Sequence, residues 1–235
     1  MRTVSIPEAD PDLAVDVPPR RRRLAARYCR ARTTEVGGGE WDGQVEGFDQ
    51  TGLGLLVLSG VLCRHVGHRE CRGAELVGTG DLLRPWEQVG TWSSIPTETS
   101  WTVIERARVA ILDAEFAARA SRFPQIGSQL LGRALVRSRY LAILNAIIGQ
   151  RRIETRLTML FWHLADRFGQ VRGEAVEIPI PLTHSVLSEL VAARRPSVTT
   201  ALSNLQERGL VTRSARGWRL RGTTPPDLLV AGWVA

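Results

Sequence analysis

Along this 235-residue chain the spacing of hydrophobic positions changes twice. From about Leu24 to Ala110 apolar residues come in short runs, at Gly54–Leu62, Ala74–Val77, Trp101–Glu105 and Val109–Leu112. Glycines at 52, 54, 60, 67, 73, 78, 80 and 90 punctuate them. Runs of about 4–8 residues between turn signals predict an antiparallel sandwich or small barrel. Phe123-Pro124 then marks a helix start, and Ile126, Leu130, Ala134, Leu141, Leu144 and Ile148 recur at helical or near-heptad spacing. A helix over Ile126–Ile148 spans about 35 Å. Its stripe needs a partner surface, either a second copy of itself or the β-rich domain. Gly149-Gln150 breaks the pattern, which makes Gly149 a candidate hinge. Ile153, Leu157, Leu160, Phe161, Leu164 and Phe168 then define another helix.

The stretch from Leu182 to Val211 reads as two short amphipathic helices joined by a tight turn. Val186, Leu187, Leu190 and Val191 share one face of the first, and Thr183 is placed to cap it. Ala192-Ala193 are small where the helices approach. Pro196 suits the first turn of the second helix, whose inner face is Val198, Ala201, Leu202 and Leu205 and whose stop is Gly209. The outer face carries Ser197, Thr199, Thr200, Ser203 and Asn204. A strand over Val176–Ile180 precedes the pair, and two strands (Leu210–Thr212, Trp218–Leu220) around a Ser214–Gly217 turn predict a wing after it.

Charge sharpens this picture. All 31 basic residues are arginine, and residues 1–149 hold 19 of them against 17 acids. Residues 150–235 hold 12 against 7. Between Leu182 and Gly222 seven arginines face only Glu189 and Glu207, an excess suited to phosphate contacts. Residues 1–23, ending in Pro18-Pro19-Arg20-Arg21-Arg22-Arg23, read as a flexible basic arm, with an accessory DNA contact as the alternative. No apolar run is long enough for a membrane span and no signal peptide is evident, so a cytoplasmic protein without membrane attachment is expected.

Leu182–Leu220 resembles the winged helix-turn-helix of the cyclic-AMP receptor / fumarate-nitrate regulator (Crp/Fnr) family. The likeness rests on the Thr183 cap, the Arg195-x-Ser197-Val198 opening and the LxxLxxRGLV close. It implies an α+β protein with a cupin-like double-stranded β-helix (24–123), a dimerisation helix and hinge (124–150), a winged helix-turn-helix (151–222) and a tail (223–235). It also implies a homodimeric, sequence-specific transcriptional regulator of double-stranded DNA, with RNA polymerase as a further partner. Candidate DNA contacts are Thr183, Arg194, Arg195, Ser197, Thr199, Thr200, Arg213 and Arg216. Pro196 and Thr200 stand where the family's best-known pattern has an acidic residue and a second arginine, so its familiar operator does not carry over.

The β-rich half lacks the family's nucleotide grip. Gly80-Asp81-Leu82-Leu83 runs into Arg84-Pro85-Trp86 and then Glu87–Pro96, without the Gly-Glu pair and later arginine that hold a cyclic phosphate, which argues against cyclic AMP. Trp86, Trp92 and Trp101 read as core or as the lining of an apolar pocket. With only Cys29, Cys63 and Cys71, a four-thiolate iron–sulfur cluster within one chain is excluded. Cys63, His65, His68 and Cys71 match no standard zinc spacing, His68 and Cys71 falling in a loop, so no metal site is assigned. No catalytic constellation emerges. The alternatives to a DNA-binding regulator are a protein-interaction adaptor and a cupin-like small-molecule binder.

Overall fold

The computed structural model describes residues 2–46, 51–68, 71–86 and 94–222, so Trp92, residues 87–93 and the tail after Gly222 lie outside them. Backbone contacts divide the chain into one unit of residues 1–71 and 75–141 and another of 72–74 and 142–235. The division falls within the long helix. Among the described residues no helix is long and apolar enough to cross a membrane.

The first unit opens with β1 (Arg2–Ser5), α1 (Ile6–Ala9), a 3-10 turn (Pro11–Ala14) and α2 (Pro19–Tyr28). This is the stretch expected to be a flexible arm, and the structure corrects that reading. β1 pairs antiparallel with β2 (Arg30–Val36), Arg2 opposite Thr33 and Ser5 opposite Arg30. Ile6, Leu13 and Val17 are buried in one core with Phe116, Phe123, Ile126 and Leu130. Full burial of such side chains contributes about 1.5–3 kcal/mol each, enough to order a segment whose composition is otherwise polar. The arginine run is also partly engaged: Arg22 donates to the carbonyls of Val17 (3.0 Å) and Val15 (2.9 Å), and Arg21 lies over the Phe123 ring.

The remaining strands are β3 (Gly39–Trp41), β4 (Gly54–His68), β5 (Cys71–Gly78), β6 (Leu82–Leu83) and β7 (Glu98–Leu112). They form a sheet in the order β1-β2-β7-β4-β5, with β3 also on β7 and β6 also on β4. The two runs expected around 101–105 and 109–112 are one strand, β7, paired along its length with β4. Register shifts between Val57 and Leu62 absorb the irregularity. Gly60 sits there at φ 92°, where a Cβ would lie 2.4 Å from the Arg106 carbonyl oxygen, so only glycine fits the bulge. α3 (Ala114–Ala120) starts at Asp113, whose carboxylate accepts from the Phe116 N–H at 2.8 Å.

α4 (Pro124–Ile148) confirms the long helix, but only part of its expected stripe is buried. Ile126 and Leu130 are in the core, whereas Leu131 and Leu135 are 62% and 64% exposed and Ala134 is exposed too.

The second unit contains α5 (Ile153–Phe168), β8 (Gln170–Arg172), β9 (Ala175–Ile178), α6 (His184–Leu190), α7 (Arg195–Glu207), β10 (Val211–Arg213) and β11 (Trp218–Arg221). Its sheet runs β10-β11-β9-β8. Leu160, Phe161, Leu187, Leu202 and Trp218 form a buried centre, Phe161 and Trp218 having ring centroids 5.2 Å apart.

Candidate nucleic-acid interface

Local signals set the geometry of the helical pair. Thr183 caps α6 by accepting the Val186 N–H at 3.2 Å. Between the helices Ala192 adopts a left-handed conformation (φ 49°), which costs a non-glycine residue about 1–2 kcal/mol. Arg156 on α5 holds this turn. Its Nη1 donates to the carbonyls of Val191 (3.0 Å) and Ala192 (3.2 Å), and its Nε to that of Gln150 (2.7 Å). Helix-end carbonyls have no partner within their own helix, and a cation is favoured at that end of the dipole. One guanidinium thus ties the turn to the segment following α4.

α7 begins at Arg195 with Pro196 in its first turn. It ends as expected: Gly209 at φ 67° follows the cap, and the Leu210 N–H reaches back to the Leu205 carbonyl at 3.0 Å. Val198, Ala201, Leu202 and Leu205 are buried. In the wing, Ser214 and Gly217 exchange backbone hydrogen bonds. A Cβ on Gly217 would lie 2.2 Å from the Ile178 oxygen and 2.6 Å from the Ile180 oxygen, so the wing's base rests directly on β9 and its continuation.

Thr183, Arg194, Arg195, Ser197, Thr199, Thr200, Arg213 and Arg216 are all exposed. The hydroxyls of α7, however, are turned back on the helix. Thr199 donates to the Arg195 carbonyl (3.1 Å), Thr200 to that of Pro196 (3.2 Å) and Ser203 to that of Thr199 (3.2 Å). Each must rotate to donate to a base. Asn204 is exposed as expected but its side chain donates to Glu154 on α5 at 2.7 Å, and Arg208 pairs with the same carboxylate at 3.5 Å.

His184, Thr199, Arg195 and Arg213 form a group. His184 Nδ1 lies 3.0 Å from Thr199 Oγ1. Because the Thr199 proton goes to the Arg195 carbonyl, the ring nitrogen is the donor. Burial first, then the charges of Arg213 and Arg195, hold the His184 pKa below the usual histidine range. Arg213 also stacks over the Trp218 ring, 4.4 Å from its centroid. Arg216 marks the wing tip, and Arg194 the residue before α7. Glu154 and Arg156 escaped the sequence reading because their partners lie 50 and 35 residues away.

In the first unit, Glu75 on β5 is buried and accepts from both Arg137 Nε (2.5 Å) and Nη2 (2.9 Å) and from Arg64 Nη2 (2.9 Å). Burial alone would lower the Arg137 pKa, but the bonds and charge of Glu75, aided by Asp81, outweigh it and raise it. One turn earlier on α4, Arg133 pairs with Asp10 and donates to the Gly80 carbonyl at 3.2 Å. The arginines near Gly80-Asp81 are thus committed to carboxylates of the chain itself. With Arg133 and Arg137 so engaged, neither guanidinium is available to a cyclic phosphate, so these residues do not fit that ligand.

Trp101 is buried edge-on to Trp41 (5.9 Å), and Trp86 packs on the same core. His68 belongs to β4 and Cys71 to β5, not to the expected loop. His65 meets Thr102 Oγ1 at 3.1 Å and His68 the Pro96 carbonyl at 2.6 Å. Among the described residues no three or more potential ligands gather as a metal site. The buried Cys29 thiol is pushed up to about 11, burial outweighing the charge of Arg119.

Residues 155–224 match the model of the Crp-like helix-turn-helix domain. A curated relative, the regulatory protein CysR of Synechococcus elongatus, is 37% identical over 92 residues, which cover 37% of this chain and 45% of that protein. The chain therefore spans under half the length of this relative in the match. A cyclic nucleotide-binding domain protein from Listeria monocytogenes has a similar fold (TM-score 0.64, 18% identity, 80% of this chain and 89% of that one). So does FixK2 from Bradyrhizobium japonicum (TM-score 0.61, 14% identity, 87% and 99%). Residues 155–224 thus carry a Crp-like helix-turn-helix domain, and the fold of the chain is shared with these two proteins. The matched domain begins on α5 and ends just past the wing, so it contains α6, α7 and Arg194, Arg195, Arg213 and Arg216.

Proposed function

We propose that this protein is a sequence-specific transcriptional regulator of the Crp/Fnr family that places α7 in the major groove of double-stranded DNA. The observation that carries this reading is the capped α6–turn–α7 pair and its wing, with Arg194, Arg195, Arg213 and Arg216 exposed on one small basic module. Arg195 contributes a base or phosphate contact, Ser197 and Thr200 supply adjustable hydrogen bonds, and Arg194, Arg213 and Arg216 bind backbone phosphates. A contact to RNA polymerase follows from the same reading.

The protein acts as a homodimer through α4, whose exposed Leu131, Leu135, Val136 and Ile143 provide the apolar surface a second copy would cover. Two recognition helices then read half-sites about 34 Å apart. The β-rich unit, cupin-like in this reading, senses an effector other than cyclic AMP or serves as the dimer scaffold. Gly149, which closes α4 by donating to the Asn145 carbonyl at 3.1 Å, is the hinge.

Binding to selected genomic fragments, measured as a function of salt, tests the proposal. Affinity is expected to fall steeply with salt, and Arg195→Ala to weaken operator binding by about 1–3 kcal/mol. Wild-type affinity in that variant would remove Arg195 from the interface, and no binding at low salt would favour the adaptor. Gly149→Ala is sterically tolerated, since the new Cβ comes no closer than 3.4 Å to its neighbours. Unchanged affinity and regulation in it would therefore eliminate the hinge. Sedimentation equilibrium should give twice the chain mass for the wild type and a monomer for Leu135→Glu; a monomeric wild type would remove the dimer.

A further inference from the structure

The N-terminal segment does more than complete the first core. Together with β2 and the start of α3 it encloses a cavity of about 460 Å³ that shares no residue with the Glu75–Arg137 cluster. Four arginines line it (Arg27, Arg30, Arg32 and Arg119) against two carboxylates, Asp113 and Glu115, with Thr3, Tyr28 and Ala31 completing the wall. The cavity therefore carries an excess of two positive charges.

Two of these guanidinium groups are fixed in place. Arg119 donates to the carbonyls of Tyr28 (3.1 Å) and Arg30 (2.8 Å) and pairs with Glu115 one turn away. Arg32 pairs with Asp113 at 3.3 Å. Arg30 reaches the Thr3 carbonyl at 3.3 Å through one nitrogen only, and both Arg27 and Arg30 are exposed. A guanidinium has five N–H donors in a flat fork that matches a phosphate or a carboxylate. Two pre-set arginines beside two exposed ones are the arrangement expected where a small anion is captured and then clamped.

We propose that this cavity binds a small organic dianion, its two negative charges matching the excess of two positive ones. The volume exceeds that of a bare phosphate ion and admits a metabolite-sized body. A phosphomonoester and a dicarboxylate share the required chemistry. The site does not depend on the protein binding DNA, and its occupancy is measured without DNA.

Isothermal titration of the full chain at fixed ionic strength, with glycerol 3-phosphate, succinate and inorganic phosphate as probes, tests this. Saturable one-site binding of either organic probe is expected, and the stronger of the two identifies the anion class. Arg27→Ser and Arg30→Ser should each weaken binding about tenfold, equivalent to about 1.4 kcal/mol, by removing a charged hydrogen-bond donor. Glu115→Gln should do the opposite and tighten it, because a competing carboxylate is removed while two carbonyls still hold Arg119; damage to the fold would weaken binding instead. No saturable heat with either organic probe, binding of inorganic phosphate alone, or affinities untouched by the Arg27 and Arg30 substitutions would overturn the proposal. So would a loss of duplex affinity in Arg27→Ser with small-anion binding unchanged, since that would assign these arginines to nucleic acid.

Discussion

Glu75→Ala is expected to destabilise the β-rich unit by about 3–5 kcal/mol, the range for removing one partner of a buried ion pair. Glu75 is 8% exposed and receives two nitrogens of Arg137 and one of Arg64. Truncating it leaves two cations facing each other in a largely dry site, with Asp81 as the nearest compensating charge for Arg137. Glu75→Gln keeps the shape and one acceptor oxygen but loses the charge, so it should fall between the alanine variant and the wild type. Urea unfolding followed by far-UV circular dichroism measures both. A loss below about 1 kcal/mol in Glu75→Ala would show that water or a rearranged carboxylate replaces Glu75 at no cost. Arg137 is on α4, so the same cluster fixes how the first part of that helix lies on the sheet of its own unit.

Trp218→Ala should cost the second unit a similar amount, about 3–5 kcal/mol, the range for truncating a fully buried aromatic. Three separate losses combine. The Phe161 ring loses its neighbour, the Leu182 carbonyl loses the indole N–H that reaches it at 3.1 Å, and Arg213 loses the ring on which its guanidinium rests. Trp218→Phe keeps a ring for Phe161 and Arg213 but orphans the carbonyl, so about 1–3 kcal/mol remains. Thermal unfolding and operator binding should fail together in Trp218→Ala. Wild-type melting in that variant would mean that the wing, not the helical pair, depends on this side chain.

Legibility differed between the two units for physical reasons. In the second unit the deciding information is local: Thr183 caps within three residues, Pro196 fits a first turn, and Gly209 turns the chain left-handed where a helix must stop. The helices and the wing were therefore readable, although β9, β10 and β11 shifted by one or two residues at their ends. Three-residue β8 is exposed throughout and left no hydrophobic pattern.

In the first unit the deciding contacts are long-range. Ile6, Leu13 and Val17 are too sparse among Pro, Asp and Glu to look like core, and only packing with Phe116, Phe123, Ile126 and Leu130 makes them so. The Glu75–Arg137 partnership spans 62 residues and so left no local signal. β4 and β7 were cut short by charged residues and a bulge that the ladder tolerates. Of the recognition surface, the sequence revealed which side chains face out. It did not reveal that Thr199, Thr200 and Ser203 are already bonded to their own helix, or that Asn204 has turned to Glu154.

The contact beneath Gly217 has a bearing on how such a module diversifies. With no room for even a methyl group between that glycine and the two carbonyls below it, the foot of the wing is closed to substitution. Ala215 and Arg216 at the tip are exposed and carry no such restriction. Drift among descendants of this protein should therefore concentrate at the tip and along the outward face of α7. New operators would then be reached by exchanging a few side chains on a frame that stays fixed.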